Sequence, residues 1–248
     1  SAWAALPAGV VPVIDGLGLP AFADLAEDFA ARGAVGLIHH PTCLEDGLDE
    51  ADRAALEALE QALFRRLPRI VVTSATTAET LAGRFGVDPA RIAVVAPGTE
   101  PAARSVGSGG PGTRLLAVGS LIPRKGHHVL LRALARLFDL DWRLTIAGGP
   151  LEGATAAALR AQAAELGIAE RVVFAGPVVE AALEALWQGA DIFALATRYE
   201  GYGMAIAEAL ARGLPVAICN GGAAGQLVTP EAGAICEVDD VVTLSKAL

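Results

Sequence analysis

The chain has 248 residues, of which 53% are hydrophobic and 19% charged, and its formal net charge is −9. Such a composition demands sizeable cores and excludes a disordered chain, and its scarcity of Lys and Arg excludes a broad nucleic-acid-binding face. The longest apolar runs, such as Ile92 to Ala96 and Ile192 to Ala196, fall far short of the ~20 residues that span a bilayer, which excludes a transmembrane helix and leaves only peripheral membrane contact open.

Val10 to Ile14 reads as a buried strand, followed by the turn Asp15-Gly16-Leu17-Gly18. Ala21 to Arg32 reads as a helix, with Phe22, Leu25, Ala26 and Phe29 at helical spacing and Gly33 as the stop. The strand Val35 to Ile38 runs into His39-His40-Pro41. A proline forces its predecessor out of the helical region, so both histidines stand at a strand's carboxyl end. Asp49 to Arg66 aligns Leu56, Leu59 and Leu63 on one stripe and is acidic early, as a helix should be. Ile70 to Thr73 returns to strand, Ser74 caps a helix from Ala75 to Phe85, and Arg91 to Ala96 is a strand closed by Pro97-Gly98.

Residues 105–112 are nearly devoid of apolar side chains and rich in Gly and Ser, which predicts a linker between an N-terminal domain at 1–104 and a C-terminal domain at 113–248. Alternation then restarts. Strands are expected at Arg114 to Val118, Arg143 to Ala147, Arg171 to Phe174, Ile192 to Ala196 and Pro215 to Ile218. Helices are expected at His127 to Phe138, Ala154 to Leu166, Glu180 to Gln188 and after Gly203. This pattern predicts an α/β fold of two Rossmann-like domains on mostly parallel sheets, with ligand sites at the strands' carboxyl ends and a cleft between the domains. The first domain begins mid-pattern and is short of the usual size by something on the order of 70 to 100 residues. The chain also stops inside a helix that starts near Asp239, so the expectation is a fragment, incomplete at both ends.

Two turns carry the chemistry. Gly119-Ser120-Leu121-Ile122-Pro123-Arg124-Lys125-Gly126 follows a strand, precedes a helix and adds two adjacent cations to the helix N-terminus. Backbone amides there carry partial positive charge, so the turn suits a phosphate. Thr197-Arg198-Tyr199-Glu200-Gly201-Tyr202-Gly203-Met204 is likewise a strand-to-helix turn, bracketed by Glu200 and, further along the helix, Glu208. Taken alone, each has an ordinary reading as a solvated turn or a dipole-favourable cap. Cys43, Cys219 and Cys236 form neither a CxxC pair nor an even disulfide set, which fits small buried side chains in a reducing, cytoplasmic compartment.

The order of the G-x-L-x-x-x-K-G turn, Ile146-Ala147-Gly148-Gly149-Pro150, Arg171-Val172-Val173-Phe174-Ala175-Gly176, Ala190-Asp191-Ile192-Phe193 and the E-G-x-G turn resembles the retaining GT-B glycosyltransferases of the group 1 (family 4) type. The resemblance is strongest from Leu115 to Gly222 and continues before the linker in Gly36 to Pro41 and Val94 to Thr99. It implies transfer of a sugar from a nucleotide-diphosphate donor to an unidentified acceptor, with neither metal nor cofactor. Glu200 would contact the donor sugar and Glu208 the ribose hydroxyls, while the amides around Gly201, Tyr202, Gly203 and Met204 would hold sugar and diphosphate. Lys125 would neutralise the leaving group, Phe174 to Pro177 would line the base pocket, and His39 would stand near the reacting sugar, with His40 the second candidate. Ser120 departs from the family's pattern, which places an arginine there; Arg124 is the substitute at hand. The family's Gly-rich acceptor loop is also missing from this sequence. Two rival readings are a nucleotide-sugar-binding fragment or pseudoenzyme and a sugar-nucleotide epimerase of the same fold.

Several other features have ordinary explanations. Asp139-Leu140-Asp141 precedes a strand, away from the carboxyl ends where donors bind. Gly16-Leu17-Gly18 lacks the third glycine of a dinucleotide fingerprint. His127-His128 has no third ligand nearby and reads as a solvated or helix-packing pair, and Asp24, Glu27 and Asp28 read as a wet helix face.

Overall fold

A computed structural model describes residues 3–45 and 47–248. The chain divides at Pro97–Gly98 into two compact units. Alternating βαβ connections make both sheets parallel, as the sequence pattern requires.

The first unit is a four-stranded sheet in the order β1-β2-β3-β4, formed by β1 (Val13–Asp15), β2 (Val35–Ile38), β3 (Arg69–Val72) and β4 (Ile92–Val94). Helices α1 (Phe29–Arg32), α2 (Glu50–Arg66) and α3 (Ala75–Gly83) connect them. Asp49 caps α2 by accepting the Asp52 amide, and Ser74 caps α3 by accepting the Thr77 amide. The core gathers Phe29, Phe64, Phe85, Leu67 and Ile70, all essentially buried. The stretch expected to be one helix from Ala21 is instead a 3-10 helix over Leu19–Asp28 that passes into α1. Leu19, Phe22 and Leu25 recur every three residues, a repeat that a three-per-turn helix satisfies as well as an α-helix does.

The second unit holds six strands in the order β10-β9-β8-β5-β6-β7. They are β5 (Thr113–Val118), β6 (Trp142–Ala147), β7 (Val172–Gly176), β8 (Ile192–Leu195), β9 (Val216–Cys219) and β10 (Gly233–Cys236). Their helices are α4 (His127–Ala135), α5 (Ala154–Glu165), α6 (Glu180–Gln188), α7 (Met204–Ala211) and α8 (Val241–Ala247). Successive strand residues face opposite sides. Leu115, Ala117, Leu144, Ile146, Ala194, Ala217 and Cys219 enter one core, and Leu116, Phe193, Leu195, Val216 and Ile218 enter the other.

The expected linker at 105–112 is tied into the second unit. The Ser105 amide donates to the Arg212 carbonyl, the Ser105 hydroxyl to the carbonyls of Gln188 and Ala190, and the Ser108 amide to Asp191 Oδ1. Glycine and serine are there because a backbone lying flat on the unit's surface needs its polar groups satisfied without bulky side chains. Among the described residues no helix is long and apolar enough to cross a membrane, and all three cysteines are free and buried.

Candidate functional site

The strand order of the second unit reverses between β5 and β8, which pair directly. In open parallel sheets this reversal opens a crevice at the strands' carboxyl ends, where ligands bind. The two turns singled out above leave from those two ends. Asp139-Leu140-Asp141 lies at the opposite edge, where the Asp141 carbonyl accepts from Thr113 at the start of β5.

After β5 the chain crosses Gly119 to Gly126 through a short 3-10 turn, Pro123–Lys125, and enters α4 at His127. Gly126 has φ +64°, and a Cβ there would lie 1.8 Å from the Ala196 carbonyl oxygen. Glycine therefore lets this turn press against the end of β8. Gly148 meets the turn from the other side, where a Cβ would come 2.1 Å from the Gly119 carbonyl oxygen.

The contact brings the basic and acidic turns into one network. Lys125 Nζ donates to Glu200 Oε1 at 2.7 Å, and Thr197 Oγ1 donates to the same oxygen at 2.9 Å. Arg124 donates to the Tyr199 carbonyl at 2.7 Å and stands 4.0 Å from Glu200 Oε2. The Arg198 amide donates to the Arg124 carbonyl, and the Glu200 amide to that of Gly221. Arg198 forks onto Asp239 at 3.0 and 3.2 Å, and Asp239 itself has φ +64°. Both turns are thereby held against each other. Glu200 is only 7% exposed, so it is an ion-paired buried carboxylate rather than an extended side chain waiting in solvent.

Gly203, at φ +106°, precedes α7, whose first residue is Met204. Its opening amides supply donors and the positive end of the helix dipole. Glu208 lies one turn further on, in the wall of a cavity of about 550 Å³ shared with Met204, Glu184, Leu183, Trp187, Arg212 and Thr99. Burial raises the Glu208 carboxyl above the ordinary value, and the Arg212 charge opposes this. Arg212 pairs with Glu184 at 2.7 Å and lies over the Trp187 ring at 5.2 Å, which holds the Glu184 carboxyl below its ordinary value. Phe174 is half-buried with its ring under the Arg160 guanidinium, 5.6 Å away, and it does not line this cavity.

His39 belongs to the first unit. Its Nε2 lies 3.3 Å from Asp15 Oδ2, both side chains half-exposed, while its carbonyl accepts the hydroxyls of Thr73 and Thr77. Asp15 Oδ1 also accepts the Leu17 amide at 2.9 Å. The neighbouring His40 Nε2 is instead turned onto Glu45. Asp15 escaped the sequence reading because it looks like a turn residue; its approach to His39 follows from β1–β2 pairing, which sets Asp15 opposite Leu37.

Comparison with known proteins covers most of the chain. A family model described as glycosyl transferases group 1 matches residues 100–248, and one described as glycosyltransferase family 4 matches residues 19–103. A protein of Mycobacterium sp. (strain JLS) named D-inositol 3-phosphate glycosyltransferase is 36% identical over 204 residues, covering 75% of this chain and 46% of that protein. One of the same name from Corynebacterium glutamicum (strain R) is 34% identical over 189 residues, covering 69% and 45%. The chain thus spans a little under half the length of these curated relatives. Among solved structures, Anabaena Alr3699/HepE in complex with UDP and glucose superposes with a TM-score of 0.78 at 20% identity, covering 94% of this chain and 66% of that one. Sucrose-phosphate synthase from Thermosynechococcus elongatus gives 0.74 at 22% identity, covering 87% and 57%. At such identities the likeness concerns the fold, two Rossmann-like α/β units.

Proposed function

Because the chain belongs to the group 1 glycosyl transferases, we propose that its second unit binds a nucleotide-diphosphate sugar and that the sugar is passed to an acceptor with its anomeric configuration retained. The observation that carries this reading is the meeting of the Lys125 turn and the Glu200 turn at the strand-order reversal, Nζ to carboxylate 2.7 Å.

Departure of a nucleoside diphosphate places negative charge on the phosphates. Lys125, Arg124 and the amides opening α4 and α7 are pre-arranged donors for it, which lets the reaction proceed without a metal in this proposal. Arg124 donates to the Tyr199 carbonyl at 2.7 Å and stands 4.0 Å from Glu200 Oε2, and it takes the place of the arginine that the family's pattern has where this chain has Ser120. Glu200 contacts the sugar, and Glu208, at the cavity wall, accepts the ribose hydroxyls. Positive charge develops at the sugar carbon, and attack from the face of the departing group gives retention without a protein nucleophile. The setting is cytoplasmic, in keeping with three free thiols. UDP, bound by the Anabaena protein, makes uracil one candidate base, and the relatives' name makes a phosphorylated polyol a candidate acceptor class.

A second reading is nucleotide-sugar binding without transfer, favoured by the placement of every donor-assigned residue within the second unit. Incubating the chain with UDP-, GDP- and ADP-sugars separates the two. Released nucleoside diphosphate or transferred sugar is expected from the first reading, whereas a thermal shift without turnover would leave only the second.

A further inference from the structure

His127 opens α4 directly after Lys125-Gly126, and the donor reading gives it no task. Rather than lying in solvent, its side chain is 2% exposed. Its Nε2 stands 3.2 Å from the Ser120 carbonyl oxygen. A carbonyl oxygen only accepts, so Nε2 carries the proton and donates it. Burial first, then the Lys125 charge, pushes the imidazole down to about 4, against the opposing pull of the backbone at Ser120 and, more weakly, at Gly119. The ring is therefore neutral at physiological pH, with Nε2–H as its one polar hydrogen. Nδ1 is buried and has no hydrogen-bond partner among the described residues.

That arrangement is a poor one for a residue whose task is to fill space. An apolar ring of similar shape would occupy the site without burying a bare nitrogen. What the imidazole adds is the bond to Ser120. Ser120 heads the turn, and the Leu121 amide donates to Gly149 while the Lys125 amide donates to Ile122. The His127 bond thus joins the head of the turn to its far end, across the segment that carries both cations.

We propose that His127 is a positioning residue for the diphosphate-binding turn: its Nε2–H clamps Ser120 to the start of α4 and so fixes where Lys125 and Arg124 present their charges. The geometry stands on its own, and only its consequence for ligand affinity rests on the donor reading.

Two variants of the full chain test it, His127→Phe, which keeps the ring shape without a donor, and His127→Gln, whose amide nitrogen can reach the same carbonyl. Amide hydrogen exchange of residues 119–126 should quicken about tenfold in the Phe variant, the loss of one modest hydrogen bond, with residues 3–97 unchanged. The Gln variant should stay close to wild type. In calorimetric titrations of UDP, GDP and ADP, whichever binds wild type should weaken about tenfold on the Phe variant, while its parent nucleoside changes little. Unchanged exchange in the turn, or equal behaviour of the two variants, overturns the proposal, as does exchange that rises evenly through the second unit. If wild type binds none of the three nucleotides, the donor reading fails while hydrogen exchange still decides the clamp. Should the Phe variant not fold, nitrogen NMR of wild-type His127 is the alternative. A neutral Nε2–H ring is expected, and an Nδ1–H tautomer or a ring titrating near the ordinary value would refute the clamp.

Discussion

Lys125 and Glu200 satisfy each other, so a donor diphosphate must share or displace a partner instead of meeting an unpaired cation. Lys125→Ala removes the cation and leaves Glu200 buried with Thr197 as its remaining side-chain donor. We expect nucleoside-diphosphate affinity to fall by about 1.5–3 kcal/mol, measured by titration calorimetry, with a lower urea midpoint because a buried carboxylate has lost the nearer of its two cations and keeps only Arg124 at 4.0 Å. Glu200→Ala frees Lys125 and should spare or strengthen the diphosphate while weakening the intact sugar donor, which competition binding would reveal. If both substitutions weaken the diphosphate equally, the division of labour is wrong. Glu208 adds a pH dependence. Its folded pKa is raised above 4.5 by burial, so the native state holds this proton at a higher pH than the unfolded chain does. That contribution to stability is present below 4.5 and is lost as pH rises through the raised value. Ribose hydroxyls need the carboxylate as acceptor, so affinity should rise with pH across the same window. The ratio of wild-type to Glu208→Gln affinity isolates this effect, and a ratio independent of pH would remove Glu208 from the ribose.

Elements matter through their ends. Gly126 permits the turn to touch β8, and Ala there would drive a Cβ into a carbonyl. Gly33 is also left-handed, at φ +61°, but open space surrounds it. Gly33→Ala should therefore cost about 1 kcal/mol, the backbone strain alone. Gly126→Ala should cost several times that, at least about 3 kcal/mol, since the neighbouring strand must also move. Equal urea midpoints for the two variants would contradict the close approach. The same ends explain what was legible in the sequence. Apolar alternation and glycine punctuation marked most strands and helices within a residue or three, because most of those elements bury their own side chains; the stretch from Val10 to Ile14, expected as a buried strand, is instead exposed at Val10, Val11 and Val13, and only Val13–Asp15 pairs as β1. β10 was not marked: Gly233-Ala234-Ile235-Cys236 has little strand character of its own and is fixed by register with β9, where a Cβ on Gly233 would meet the Val216 carbonyl. The ion pair that joins the two turns was likewise hidden. Residues 125 and 200 are distant along the chain, and only the β5–β8 pairing brings their turns together.

At the scale of the molecule, each unit has a core of its own, and every residue assigned to the donor lies in the second. Residues 98–248 expressed alone should fold and retain nucleoside-diphosphate affinity within about threefold, the spread expected when no direct contact is lost; circular dichroism and calorimetry would check both. Family membership was legible early because it rests on the order of several short motifs spread over both units. The unit boundary was not, since a Gly- and Ser-rich stretch looks the same whether it spans solvent or lies hydrogen-bonded on a surface, as Ser105 and Ser108 do. The account's central claim, a sugar-nucleotide site built between the Lys125 turn and Glu208, is tested most directly by titrating UDP, GDP and ADP into the wild-type chain and Glu208→Ala. The prediction is that at least one binds wild type and weakens about tenfold or more in the variant, the loss of a charge-assisted acceptor. Binding by none of the three, or binding that Glu208→Ala leaves unchanged, would contradict it.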